Sequence, residues 1–287
     1  MFNSFLKGII FLSSTFFLSG CSAFHKSVKK ESIILDIWDL KRTPAHYQLV
    51  WNDEFEYDGL PDSTRWSFDT KGNDTGWGNN ELQFYTASQL KNAFVANGCL
   101  HIVAHKEAHG LKHYTSARLI TKGHGQWLYG RIECRAKLPT GRGTWPAFWM
   151  MPAESAYGTW PASGEIDIME NVGFDPDTVL ATTHTQLFNH ISGTSVSGKH
   201  FVPSCAKEFH VYAIEWDEHE IRGYVDEHHY YTYTNTGKGW KSWPFDKPFY
   251  IILNLAIGGN WGGRMGVDDS IFPCTYEIDF VRVYQER

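Results

Sequence analysis

Basic charge is scarce in this chain of 287 residues. Lysine and arginine together number 26 against 32 aspartates and glutamates, which gives a formal net charge of −6. No run of residues builds a basic face. The charge pattern therefore argues against nucleic acid as a partner.

Cysteine is also sparse, and its spacing excludes a Cys-x-x-Cys metal site. An exported protein could join two of the cysteines in a disulfide, but the spacing does not give the pairing. We expect free or buried thiols that pack in the interior. The four cysteines concerned are Cys99, Cys134, Cys205 and Cys274.

No apolar run is long enough for a convincing membrane span, which needs about 20 residues. A short run from Gly8 to Leu18 ends in Leu-Ser-Gly-Cys21, which resembles a bacterial lipobox. We therefore expect residues 1–21 to be a lipoprotein signal peptide, Cys21 to be lipidated and residues 22–44 to be a tether. The alternative is an ordinary cleaved signal peptide with an incidental cysteine.

A helical period is missing as well, because no long segment repeats its apolar residues every 3.6 positions. Short alternating segments recur instead between glycine, asparagine and aspartate turns, which predicts an all-β fold and a β-sandwich. No internal repeat or second-domain boundary is visible. The clearest segments are 100–104, 127–136, 211–216, 249–256 and 276–284.

Three carboxylates lie within six residues, at Glu165, Asp167 and Glu170. Along a strand Glu165 and Asp167 share one face, and a β-bulge that absorbs one residue would return Glu170 to it. Mutual repulsion should raise at least one pKa, as a general acid near neutral pH requires. A solvated face of an edge strand is the alternative, but it leaves the flanking Trp145 and Trp160 unexplained.

Residues 160–170, Trp-Pro-Ala-Ser-Gly-Glu-Ile-Asp-Ile-Met-Glu, resemble the active-site signature of glycoside hydrolase family 16. They are most similar to its laminarinase-like branch. Stretches 76–83, 116–120, 183–185 and 254–261 agree in the expected order, so the resemblance runs from about 47 to 284. It implies a β-jelly roll with a concave glycan-binding cleft, formed by residues 45–287.

The resemblance also assigns catalytic roles. Glu165 matches the nucleophile, Glu170 the general acid/base, and Asp167 a group that orients Glu165. Leaning side chains and the bulge could bring the two glutamates to the carboxyl separation of about 5–5.5 Å that retaining enzymes use. We therefore expect retention of anomeric configuration.

Six further positions match substrate-binding residues of the family: Asn80, Arg118, Trp145, Trp160, His184 and Trp261. Trp149 is assigned to the core, although on a regular strand it would share a face with Trp145. Arg118 could equally form a structural ion pair, and Trp261 could plug the space beneath its glycine-rich loop. The other histidines, including His228 and His229, are expected at the surface.

No cofactor is required for the chemistry that the resemblance implies. Many members of the family bind a structural calcium, and the matching donors are the backbone carbonyls of Glu54 and Gly98 and the carboxylate of Asp279. Oxygen donors suit this hard cation. Glu54 and Asp279 could also be ordinary surface acids.

The leading hypothesis is an exported, lipid-anchored, monomeric endo-β-glucanase that acts on β-1,3-glucan or mixed-linkage β-1,3/1,4-glucan. Its expected partners are the polysaccharide and, through the anchor alone, a membrane of the bacterial cell envelope. One alternative is hydrolysis of another polymer such as an algal galactan. Another is a non-catalytic glucan-binding protein, which the presence of all three acids disfavours.

Overall fold

The computed structural model describes residues 47–287. The predicted signal peptide, the lipidation site at Cys21 and the tether lie outside these residues. Within them almost all regular structure is β-strand, apart from 3₁₀ helices at Asn73–Gly78 and Asp269–Ile271. Neither helix is long and apolar enough to cross a membrane.

Seventeen strands form two sheets in the part of the chain that the structure describes. They are β1 (Tyr47–Asp53), β2 (Ser67–Phe68), β3 (Gln83–Tyr85), β4 (Ala93–Ala96), β5 (Cys99–His109), β6 (Lys112–Ser116), β7 (Arg118–Ile120), β8 (Gly130–Lys137), β9 (Thr144–Pro152), β10 (Glu165–Val172), β11 (Asp175–His184), β12 (Val196–Phe201), β13 (His210–Trp216), β14 (Glu220–Val225), β15 (His228–Thr234), β16 (Phe249–Ile257) and β17 (Cys274–Glu286). The five alternating segments predicted above coincide with β5, β8, β13, β16 and β17.

The larger sheet has ten strands in the order β15-β14-β13-β8-β17-β5-β6-β3, with β1 paired to β17 and β4 to β5. The smaller sheet has seven, in the order β12-β11-β10-β9-β16-β7-β2. Its strands pair antiparallel throughout. In this sheet β10, with the three acids, has two strands on one side and four on the other.

One apolar core fills the space between the sheets. Ile166 and Ile168 of β10 are fully buried in it. Trp216 of the larger sheet meets Phe249 of the smaller one with ring centroids 5.5 Å apart. Alternation therefore sends one face of β10 into the core and leaves the other to carry chemistry. The predicted all-β sandwich is confirmed.

The four cysteines that the structure describes are free. Cys134 and Cys205 are fully buried, and Cys274 is nearly so. Cys99 is half-buried, and the expectation of free or buried thiols is confirmed for these four residues.

Candidate active site

Glycine and a bulge together set the direction of the acidic side chains on β10. Gly164 has a φ of +90°, and a Cβ there would lie 2.9 Å from Cγ of Pro244, so the turn into Glu165 requires glycine. The pairing register of β10 then shifts between Asp167 and Glu170. The predicted bulge is confirmed, and Glu165 and Glu170 line one cavity.

Indole N–H groups hold the two glutamates. Trp160 donates to Oε2 of Glu165 at 2.6 Å, and Trp145 donates to Oε1 of Glu170 at 3.0 Å. Each bond is charge-assisted, and stronger than a neutral hydrogen bond, when the carboxyl group that accepts it is ionised. Each glutamate therefore has its own aromatic donor.

Asp167 is 3% exposed and lies within hydrogen-bonding reach of Glu165. Nε2 of His184 is 3.3 Å from Oδ2 of Asp167 and 3.9 Å from Oε1 of Glu165. The contact with Asp167 is electrostatic rather than an aligned hydrogen bond, because Oδ2 is buried with no hydrogen-bond partner among the described residues. The ligand atoms of these three side chains lie within 4.8 Å of one another, a spacing that could also hold a cation.

Burial makes all three carboxyl groups weaker acids. It raises the pKa of Glu165 to about 8; Asp167 adds to the rise, while His184 and the Trp160 N–H oppose it. It also raises the pKa of Glu170 to about 7, against the opposing effects of His184 and the Trp145 N–H. The pKa of Asp167 is raised first by burial and then by Glu170. The cluster therefore keeps protons into the neutral range and titrates as a unit.

Open space surrounds the acids on both sides of β10. A cavity of about 320 Å³ extends toward β11 and β12, where Thr182, Ser195 and Ser197 line it. A smaller recess of about 60 Å³ extends toward β16 and β7. Glu165 and Glu170 line both, so the cleft crosses the sheet with the acids at its middle.

The assignment of Trp149 to the core is wrong. This residue is half-buried and lines the recess, and its indole donates to Oδ1 of Asn254 at 2.7 Å. The pairing of β9 with β16 runs without a register shift, so residues 145 and 149 keep the same face. Trp145 and Trp149 both face the cleft.

Arg118 lies in the recess between two indoles. Its guanidinium is 4.4 Å from the ring centroid of Trp77 and 4.7 Å from that of Trp149. Its Nε is also 3.3 Å from a carboxylate oxygen of Asp69. Arg118 therefore combines the two interpretations, because it lines the recess and also belongs to an ion pair.

Among the other predicted binding residues, Trp261 lines the large cavity and meets Trp145 edge-on at 5.4 Å. Asn80 does not line either space. It is exposed and donates to Oδ1 of Asn260, whereas Asn79 and Asn260 line the cavity themselves. Asn80 therefore contacts a residue that lines the cavity but does not line the cavity itself.

Several cleft residues were not predicted. Thr182 could have been found by alternation, since it lies two positions before His184 on the same strand face. Ser195, Ser197 and His190 belong to the segment after β11, and no local pattern marks them. His228 is exposed, as the sequence predicted for the remaining histidines, but His190 borders the cavity.

The positions proposed for calcium lie away from the cleft. The Asp279 carboxylate accepts a hydrogen bond from Arg135, and the Glu54 carboxylate is held by Arg282 at 2.8 Å. The ion pair of Glu54 uses its side chain and does not involve its backbone carbonyl. A calcium ion at Asp279, in contrast, would have to share the Asp279 carboxylate with the guanidinium of Arg135. This donor set fits calcium only with displacement of Arg135.

Paired carboxyl groups in an aromatic-lined cleft define a class of enzyme, the glycoside hydrolases. The chain belongs to glycosyl hydrolases family 16, whose model matches residues 77–282.

Within the family, the chain is similar to two characterised relatives and to one solved structure. A β-glucanase of Rhodothermus marinus is 51% identical over 84% of this chain and 86% of its own length. A glucan endo-1,3-β-glucosidase A1 of Niallia circulans is 41% identical over 85% of this chain but only 38% of its own length. The structure of the laminarinase from Rhodothermus marinus superposes with a TM-score of 0.82, covering 84% of this chain and 98% of that one. The fold is therefore that of the laminarinase-like branch.

Proposed function

We propose that this protein is a retaining endo-β-glucanase that hydrolyses internal linkages of β-1,3-glucan or of mixed-linkage β-1,3/1,4-glucan. The observation that supports it most is the pair Glu165 and Glu170 on one strand, each bonded to its own indole N–H in a cleft that runs across the sheet. A cleft open on both sides of the acids suits an internal linkage of a polymer.

In the first step the Glu165 carboxylate attacks the anomeric carbon while Glu170 gives its proton to the glycosidic oxygen. The bond between carbon and that oxygen breaks, and an ester forms between the sugar and Glu165. In the second step Glu170 takes a proton from water, the water oxygen attacks the same carbon, and the ester breaks. Two inversions leave the configuration unchanged, and both residues return to their starting protonation states.

Asp167 and His184 control the charge of the nucleophile in this proposal. A proton on Asp167 can be shared with Glu165, which orients the attacking oxygen. His184 faces both carboxyl groups and opposes the rise of the Glu165 pKa. Neither residue needs to touch the departing sugar.

The experiment is product analysis of a soluble form that lacks residues 1–21, with laminarin, barley mixed-linkage glucan and agarose in parallel. Release of short oligosaccharides from laminarin or barley glucan is the expected result, and their relative rates assign the preferred linkage. Cleavage of agarose alone would contradict the proposed glucan substrate but not the two-glutamate mechanism. Silence on all three with retained laminarin binding would favour a binding protein.

A matched pair of variants separates catalysis from folding. Glu165→Gln keeps the size of the side chain but removes the nucleophile, and we expect hydrolysis to be lost with laminarin binding retained. Glu154→Gln changes an exposed glutamate in the loop before β10 and should hydrolyse laminarin at the normal rate. Full activity of Glu165→Gln would contradict the assignment.

Lipidation of Cys21 is part of the proposed localisation in the bacterial cell envelope. The Leu-Ser-Gly-Cys21 order after a short apolar run supports it. Metabolic labelling with a radioactive fatty acid in the bacterial host should mark the wild-type protein and leave Cys21→Ala unlabelled. Equal labelling of both would contradict the anchor.

The structural calcium at Glu54, Gly98 and Asp279 also stays a prediction. Calcium that binds the folded protein alone should raise the Tm in proportion to the logarithm of its concentration. Asp279→Asn should abolish that rise. A Tm that changes neither with added calcium nor with a chelator would contradict the predicted calcium site.

A further inference from the structure

The segment between β11 and β12 is a compact loop that brings a histidine to the cleft wall. Asn189 is 4% exposed at its centre, where its side-chain amide donates to the backbone oxygen of Thr185 at 3.1 Å and accepts from the backbone N–H of Ser192 at 3.0 Å. The backbone N–H of Leu187 bonds to Lys241 at 3.0 Å and ties the loop to the segment before β16. The next side chain after Asn189 is His190, so its position is set by a braced backbone.

Three rings pack against one another beside the carboxyl groups. The His190 ring centroid is 5.0 Å from Trp160 and 5.2 Å from His184, and the last two are 6.0 Å apart. Trp160 donates to Glu165, and His184 faces Asp167. His190 is thus the outer ring that touches both of the rings in contact with the acids.

We propose that His190 is a positioning residue, whose ring holds Trp160 and His184 against Glu165 and Asp167 and so fixes the direction of the nucleophile. This inference rests on the proposed function and deepens it. No covalent constraint fixes the rotamer of Trp160, so its N–H stays on Glu165 only while its ring is packed in place. A displacement of about 1 Å at such a group can lower the rate by roughly 100-fold.

The charge of His190 is consistent with this packing role. Partial desolvation, together with repulsion from His184, lowers the pKa of His190. A neutral ring brings no positive charge of its own to this cluster. An aromatic ring without a titrating nitrogen should therefore replace it.

The experiment compares three variants with laminarin as substrate. His190→Ala removes the ring and should lower kcat/KM by about 10-fold to 100-fold, mainly through kcat. His190→Phe restores a ring of similar size and should lie within about threefold of the wild type. Ile191→Ala changes the next residue of the same loop, which is 75% exposed, and should leave both constants unchanged.

A double-mutant cycle tests whether His190 acts through Trp160. In the background of Trp160→Phe, which lacks the N–H that Glu165 accepts, His190→Ala should cost less than about threefold, because coupled residues are not additive. Equal losses in both backgrounds would overturn the proposal, as would a normal kcat for His190→Ala. Should the Ala variant not fold, His190→Gln, which also lacks the ring, takes its place in the cycle.

Failure of the proposed function has a different signature. A wild type that cleaves no glucan rejects the function, whereas an active wild type with unaffected His190 variants rejects only this inference. The Tm of each variant, measured alongside, should stay close to that of the wild type because His190 is exposed.

Discussion

Each of the two sheets carries a group of acids of which most are sheltered from solvent, and the negative charges of the two groups are balanced in opposite ways. On β8 the side chain of Arg131 is 1% exposed. It donates to Glu133 at 2.9 Å, to Glu215 at 3.4 Å and to Glu227 at 2.6 Å. Burial works to lower the pKa of Arg131, but the glutamates outweigh it and the net pKa is raised. A full positive charge therefore pairs with the acids of the larger sheet.

On β10 the corresponding groups are two indole N–H donors and one histidine. These partners stabilise the carboxylates only in part, so burial wins and the pKa values of Glu165 and Glu170 rise. An arginine in their place would fix both acids as carboxylates, and Glu170 could not donate a proton. The difference separates an ion-pair network that stabilises the fold from a proton-holding cluster that reacts.

After loss of the nucleophile itself, replacement of Glu170 by glutamine should have the largest effect on activity. The variant cannot protonate the departing oxygen, and kcat/KM for laminarin should fall by about 10²–10⁴-fold. In an aryl glucoside with a strongly acidic phenol, the phenolate leaves without that proton. The kcat/KM for this substrate should therefore fall far less. Equal losses on both substrates would show that Glu170 is not the acid.

Replacement of Arg131 by methionine should instead act on stability. It removes the guanidinium from beside the buried Glu133, whereas Glu215 keeps Arg222 at 3.1 Å, and it should cost about 3 kcal/mol in the free energy of unfolding. Denaturant unfolding gives this number, and kcat measured well below the Tm should be unchanged. As a control, Lys106→Met breaks an exposed pair with Asp269 and should cost about 1 kcal/mol or less.

The stability of Glu165→Gln should depend on pH with a defined sign. A carboxyl whose pKa is higher in the folded state than in the unfolded state holds more protons when folded, so the wild type loses stability as pH rises from about 4.5 toward about 8. Glutamine cannot ionise. The variant should match the wild-type Tm near pH 4, and its advantage should grow as pH rises, reaching several degrees at pH 8. A constant difference across this range would contradict the raised pKa.

Loss of either indole donor should move the pH–rate profile to higher pH. Trp160→Phe removes a bond that stabilises the Glu165 carboxylate, so the pKa of Glu165 rises further. Trp145→Phe does the same to Glu170. Because the carboxyl groups titrate as a unit, either change should move both limbs of kcat/KM. Each change should lower kcat/KM at neutral pH by roughly 10-fold to 100-fold, the value of one charged hydrogen bond. A profile that either variant leaves in place would contradict the role of the indole donors.

The sequence was sufficient where chemistry depends on neighbours along one strand. The spacing of Glu165, Asp167 and Glu170 around Met169 predicts the bulge, because only an extra residue returns Glu170 to the acidic face. The same reasoning, applied strictly to Trp145 and Trp149, would have placed both in the cleft. The error came from assigning Trp149 to the core although the parity of a regular strand places it on the same face as Trp145.

The remaining features depend on contacts between distant segments. Arg131 meets glutamates 84 and 96 residues away in sequence, at Glu215 and Glu227. His190 meets Trp160 from a loop whose Leu187 N–H donates to the carbonyl oxygen of Lys241 in the β15–β16 connection. No local period encodes such approaches, since they follow from how the strands are ordered in the sheets.

The most direct test of the account is to trap the glycosyl-enzyme. In a 2-deoxy-2-fluoro laminari-oligosaccharide with a fluoride leaving group, the 2-fluoro group slows both steps. The fluoride leaving group keeps the first step fast, so the ester should accumulate. Mass spectrometry of the digested protein should then find the sugar on Glu165. An adduct on Asp167 or Glu170, or rapid turnover to a product of inverted configuration, would contradict the account.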